Sequence, residues 1–119
     1  MDRQETGRKG EAVAAKYYMD RGYTLMAHGY RTRLGELDLV LRKDSLIVIC
    51  EVKTRKGRQL GRPMDAVDRK KQQRIVLAAR QFLQQTGNND AFVRFDVAEV
   101  TPTEGGWQVH CIPAAFEAN

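Results

Sequence analysis

The sequence predicts an α/β fold: a three-layer sandwich with a central mixed β-sheet and elements in the order α-β-β-β-α-β-β. Three observations carry that prediction. Segments over about 7–21 and 65–85 place apolar residues at helical spacing. Between them, Leu46-Ile47-Val48-Ile49-Cys50 is apolar without alternation, as in a central strand covered on both faces. The segments flanking it mix apolar and charged positions with a period of two, as strands with one buried face do. A doubly covered central strand requires helices on both sides of the sheet.

Taken in order, Thr6 is a candidate cap for the first helix, Val13, Ala14 and Tyr17 are its apolar stripe, and Gly22 is its stop. Tyr23 to Tyr30 is β-compatible, with Gly29 marking a bulge or a strand end. Leu37, Leu39 and Leu41 alternate with Glu36, Asp38 and Arg42, and Lys43-Asp44 is a turn-competent pair. After the central strand, Thr54 to Pro63 is a polar loop punctuated by Gly57 and Gly61. The second helix turns Val67, Ile75, Ala79, Phe82 and Leu83 inward and ends at Gly87. Strands over Ala91 to Val100 and Trp107 to Ile112 follow, separated by a turn from Pro102 to Gly106. The second helix then serves as a right-handed crossover onto a parallel neighbour.

With 119 residues the expectation is one domain, with short flexible ends at about 1–5 and 114–119. Hydrophobic residues at 42% and charged residues at 29% exclude a disordered or fibrous chain. The longest strongly apolar run is Leu46 to Cys50, too short for a membrane span, and the first residues lack an apolar leader. Cys50 and Cys111 stand far apart without a Cys-x-x-Cys pattern, so neither a disulfide framework nor a zinc site is expected and a reducing cytoplasm is. Twenty Lys and Arg against 15 Asp and Glu leave +5, which points to an acidic partner, nucleic acid before membrane surface.

Charged groups at the end of the central strand need an explanation, because they are costly at the edge of a core unless paired or coordinating. If Lys43-Asp44 is a two-residue loop, Arg42 faces Ser45, Asp38 faces Ile49 and Glu36 faces Glu51. Asp38 and Glu51 then lie diagonally adjacent on one face, with Lys53 beside them. Two neighbouring carboxylates repel unless a divalent cation joins them, and oxygen-only ligands favour Mg²⁺ or Mn²⁺. Such an ion polarises a phosphodiester and lowers the pKa of a bound water, and Lys53 would orient that water. Glu11, near the start of the first helix, is a further candidate ligand. Spacing alone also allows a plainer account, in which Glu51 and Lys53 end a strand in solvent and Asp38 pairs with Arg31 or Arg33.

Four motifs in order, Gly10-Glu11, Gly35-Glu36-Leu37-Asp38-Leu39-Val40, Glu51-Val52-Lys53-Thr54-Arg55 and Arg94-Phe95-Asp96-Val97, resemble the YraN-type family of small bacterial proteins. The resemblance spans about Gly7 to Val100. It implies a restriction-endonuclease-like fold of the PD-(D/E)XK nuclease superfamily, similar to archaeal Holliday-junction resolvases. By that likeness Asp38, Glu51 and Lys53 are catalytic, and Glu11, Asp38 and Glu51 hold metal. Leu37 stands where the superfamily's name has proline.

From Lys53 to Arg74 nine basic residues face only Asp65 and Asp68. With Arg31 and Arg33 on the other side, Arg55, Lys56, Arg58, Arg69, Lys70, Lys71 and Arg74 are candidate nucleic-acid contacts, Lys71 with its stem along the core. A solvated helix face is the bland alternative. Arg94 and Asp96 are expected to form a structural ion pair, and Tyr17, Tyr18, Tyr23 and Tyr30 to pack rather than stack bases. The function expected is a cytoplasmic, Mg²⁺- or Mn²⁺-dependent DNA endonuclease, acting on branched substrates as a homodimer. The alternative is a nucleic-acid-binding module without turnover, and a third possibility is a scaffold domain whose charges only solubilise it.

Overall fold

The computed structural model describes residues 3–55 and 67–118. Helix α1 (Arg3–Met19) leads into strands β1 (Thr24–Arg31), β2 (Glu36–Lys43) and β3 (Leu46–Thr54); α2 (Arg69–Gln85) precedes β4 (Phe92–Thr103) and β5 (Gly106–Phe116). The strands form one mixed sheet in the order β1-β2-β3-β4-β5. Only β3 and β4 run parallel, so α2 is the crossover that a parallel pair needs. Among the described residues no helix is long and apolar enough to cross a membrane.

Both faces of β3 are covered, as its unbroken apolar run requires. Ile75, Ala78, Ala79 and Phe82 of α2 pack on Leu37, Val40, Ile47, Ile49 and Phe95. Ala14, Ala15 and Tyr18 of α1 cover Leu39, Leu41, Val48, Cys50 and Val100 on the opposite face. Each such aliphatic side chain contributes roughly 1.5–3 kcal/mol of burial. Tyr17 and Tyr23 meet Tyr18 edge-on, and Tyr30 meets Phe82. The tyrosines are therefore packing groups, as expected.

Arg94 and Asp96 form the expected pair, Nε to Oδ1 at 2.8 Å and Nη2 to Oδ2 at 2.9 Å. Asp96 is fully buried and also accepts from Tyr18 Oη at 2.7 Å and the Ala114 amide at 3.0 Å. That network ties α1 and β5 to the middle of β4.

Several boundaries differ from the sequence reading. Helix α1 starts at Arg3, so Thr6 lies within it; good helix formers precede Thr6, and Glu5 in the first turn suits the helix dipole. Asp68 caps α2, accepting from the Lys71 amide at 2.8 Å, whereas the expected start at Asp65 lies outside the described residues. Strand β5 continues four residues past Ile112, to Phe116. The β2–β3 loop is Asp44-Ser45 rather than Lys43-Asp44, because Lys43 pairs with Leu46. Asp44 adopts φ 54°, a left-handed conformation that aspartate tolerates better than lysine.

Candidate active site

Moving the loop by one residue shifts the register by two, which corrects the predicted pairing. Val40 faces Ile49 and Leu39 faces Cys50, so Asp38 comes opposite Glu51 rather than diagonal to it. A two-residue shift leaves the side chains from Asp38 to Lys43 on their predicted faces. The carboxylates are consequently brought closer than the sequence reading placed them.

A kink in β2 sets the direction of Asp38. In a regular strand Leu37 and Leu39 would share a face, yet Leu37 packs under α2 and Leu39 under α1. The chain changes faces at Asp38. Strand β1 changes faces with it at Gly29, which lies between the His28–Leu39 and Tyr30–Leu37 pairs and has φ 56°. Glycine adopts that conformation without the Cβ penalty of other residues, so both strands kink together and their register is kept.

Beyond Leu39 and Cys50, side chains take over the hydrogen bonding. Val52 N–H donates to Asp38 Oδ2 at 2.8 Å, and Asp38 N–H donates to Glu51 Oε2 at 3.3 Å. Each carboxylate is thus held by a backbone amide of the facing strand, at the point where β2 and β3 part. This excludes the plainer account of Asp38 pairing with Arg31 or Arg33: Arg31 lies 3.7 Å from Glu36 instead, and Arg33 is exposed in the β1–β2 turn.

A cavity of about 440 Å³ opens at this fork, lined on the sheet side by Glu36, Asp38 and Glu51 and on the α2 side by Lys70, Lys71 and Arg74. Close packing of the β1–β2 turn against α2 shapes it: a Cβ on Gly35 would lie 2.8 Å from the Arg74 carbonyl oxygen. Lys71 reaches across, its Nζ 3.9 Å from Glu51 Oε1. Glu11 approaches from the α1 side, beside a separate pocket that includes His28 and Leu39. Its helix docks tightly because a Cβ on Gly10 would collide with Thr54 Oγ1.

The remaining predicted residues separate into groups. Lys53 is exposed two residues beyond Glu51 and, by strand alternation, on its face. Arg55 is turned into the protein, where its Nε donates to Glu99 Oε2 at 2.8 Å with both side chains largely buried, so its predicted place on an open basic surface is corrected. Arg69 lines a different cavity, with Gln72 and Glu117. Lys56 and Arg58 lie outside the described residues. Glu36 and Asp68 line the cavity without having been singled out from the sequence; Glu36 stands two residues before Asp38, a spacing that could have marked it.

The matched family model is "Uncharacterised protein family UPF0102", over residues 10–100, a span that holds Glu11, Asp38, Glu51, Lys53 and Lys71. The chain belongs to the UPF0102 family. A UPF0102 protein of Desulforapulum autotrophicum is 37% identical over 117 residues, 98% of this chain and 97% of the relative. A UPF0102 protein of Anaeromyxobacter dehalogenans is 38% identical over 98% of this chain and 87% of the relative. One of Clavibacter michiganensis is 41% identical over 87% of each. The YraN-type resemblance drawn from the four motifs agrees with this membership.

Electrostatics set the UPF0102 fork apart from an ordinary strand end. Burial, then the nearby Asp38 charge, pushes Glu51 from 4.5 up to about 8. Burial, then Asp38 and Glu36, pushes Glu11 up to about 7. Burial also raises Asp38, against the opposing pull of the Val52 amide and Lys71. The acids repel one another and are partly desolvated, so the donor set fits a hard divalent cation: oxygen ligands only, on two carboxylates already aimed by the backbone. Asp38, Glu51 and, from the other face, Glu11 are the residues that would hold it. Among the described residues no three His, Cys, Asp or Glu side chains gather as a metal-holding group.

Proposed function

We propose that this UPF0102 protein is a Mg²⁺- or Mn²⁺-dependent DNA endonuclease of PD-(D/E)XK type, with a restriction-endonuclease-like fold, that cuts branched DNA in the cytoplasm as a homodimer. The observation that carries the reading is the facing pair of a buried Glu51 and a half-buried Asp38, mutually repelling and fixed by backbone amides, beside the lysines and arginine of α2. A structural role does not account for it, since a buried acid beside a second acid costs stability. Asp38 and Glu51 hold the metal, which supplies phosphoryl polarisation and an activated water. Lys70, Lys71 and Arg74 draw in the phosphate backbone and place a phosphodiester over the carboxylates. Lys53, on the Glu51 face, orients the nucleophile and offsets charge building on the phosphate. Branch preference and the dimer rest on the resemblance to junction resolvases.

The test is cleavage of labelled four-way junction, flap, single-stranded and duplex DNA in Mn²⁺, in Mg²⁺ and in chelator. Metal-dependent cutting by wild type and none by folded Glu51→Ala is expected; equal cutting by the two removes Glu51 from the mechanism. Sedimentation of protein with and without junction DNA tests the dimer, and monomers in both states would refute it. A second reading, DNA binding without turnover, is favoured because among the described residues no third His, Cys, Asp or Glu gathers with another two into a metal-holding group. Salt-sensitive DNA binding with no cleavage of any substrate would select it.

A further inference from the structure

The cavity at the strand fork has an acidic wall and a mainly basic one. The sheet contributes Glu36, Asp38 and Glu51, and α2 contributes Lys70, Lys71 and Arg74 together with its capping Asp68. The two walls meet where Lys71 Nζ lies 3.9 Å from Glu51 Oε1, an ion pair too long for a firm hydrogen bond. The backbone of Lys71 is fixed, because its amide donates to the capping Asp68 carboxylate at 2.8 Å. Its side chain is half exposed. A four-carbon stem on a fixed helical turn can therefore move its ammonium while the fold stays in place.

Resting on the metal-site reading above, we propose that Lys71 is a shared counter-ion that couples metal binding to phosphate binding. Without metal the ammonium partly offsets the negative charge that the Asp38–Glu51 pair carries. A divalent cation on the carboxylates repels and replaces it, and the released ammonium turns to the phosphate at the cavity mouth. The Lys71 charge acts on both carboxylates, stabilising their ionised forms, so one cation stands in for the other across the whole pair. Linkage makes the effect reciprocal: DNA that engages Lys71 must raise metal affinity by the same factor as metal raises DNA affinity. An apparently redundant lysine on α2, beside Lys53 of the strand, thereby prevents tight metal binding before substrate arrives.

Calorimetric titration of Mn²⁺ into the full chain, without DNA, separates this idea from the metal site itself. Lys71→Gln is expected to bind Mn²⁺ about tenfold more tightly than wild type, Glu51→Gln to lose binding, and Lys16→Gln, with the same change in net charge but paired with Asp20 on α1, to match wild type. In fluorescence anisotropy with labelled junction DNA, exchanging chelator for Ca²⁺ is expected to tighten wild-type binding at least threefold more than it tightens Lys71→Gln binding. No Mn²⁺ binding by wild type would overturn the metal site and the coupling with it. Mn²⁺ binding that Glu51→Gln removes but Lys71→Gln leaves unchanged would overturn the coupling alone. An equal gain in Lys16→Gln, or an equal Ca²⁺ effect on DNA binding by both proteins, would also overturn it.

Discussion

Replacing Glu51 by glutamine is expected to stabilise the protein while destroying its proposed activity. The free Glu51 carboxyl titrates near 4.5 and the folded one near 8. Between those values the native state keeps a proton that the unfolded chain has released, so stability falls as pH rises through the window. Below 4.5 both states are protonated and the group contributes nothing to the difference. Each tenfold change in proton affinity is worth about 1.4 kcal/mol, so at pH 7 the native state carries a penalty on the order of 3 kcal/mol. Glutamine escapes it and still accepts from the Asp38 amide, and the Lys71 attraction is already contained in the raised value. The net expectation is a gain of about 3 kcal/mol at pH 7, or roughly 12 °C in Tm for a domain of this size. Thermal and urea unfolding of both proteins in chelator at pH 5, 6.5 and 8 measures it, and the difference between them cancels the titration of distant groups. The advantage should be near zero at pH 5 and largest at pH 8. A Glu51→Gln protein less stable than wild type at pH 8, or a difference independent of pH, would refute the idea that Glu51 is held in place at a cost.

Adding Mn²⁺ should stabilise wild type by RT ln(1 + [L]/Kd), so that its Tm rises with concentration, and leave Asp38→Asn unmoved; equal shifts in both would locate the metal elsewhere. Gly29→Ala has open space for its methyl group, so its cost is the left-handed backbone, about 1 kcal/mol in urea unfolding, accompanied by weaker Mn²⁺ binding as the kink opposite Asp38 relaxes. Gly35→Ala drives a Cβ against the Arg74 carbonyl and should cost about 1–3 kcal/mol, with DNA affinity lowered as α2 is pushed from the fork. Asp96→Ala leaves Arg94 and the buried Tyr18 hydroxyl without their acceptor and should cost about 3–5 kcal/mol; a loss under 1 kcal/mol would show that the network is not structural.

Much of this architecture is local in origin and so was legible along the chain. The apolar run at 46–50 required a strand covered on both faces, and two amphipathic segments supplied the covers. From Asp38 to Lys43 alternation fixed which residues share a face, and a register error of two left that parity intact, so Asp38 and Glu51 were brought together; only Leu37, beyond the kink, left the face predicted for it. Arg94 and Asp96, two apart on one strand, were readable as a pair for the same reason. What failed were choices between near-equal local options: Thr6 or an earlier residue to begin α1, and Lys43-Asp44 or Asp44-Ser45 as the loop. Spacing alone does not discriminate between adjacent turn positions, whereas the left-handed backbone at Asp44 does.

By itself the sequence determined the element order, the two buried faces, the neighbourhood of the two acids on one face and the excess of basic residues after Lys53. Tertiary structure decided how those basic residues divide: Lys70, Lys71 and Arg74 to the fork, Arg69 to another cavity, and Arg55 inward to Glu99. It also placed the simultaneous kink of β1 and β2 at Gly29 and Asp38, and chose Lys71 as the ion-pair partner of Glu51. The physical reason is reach. Periodicity governs neighbours on one element, while the angle at which α2 crosses the sheet, set by packing at Gly35 and Ile75, determines which distant ammonium arrives beside a given carboxylate.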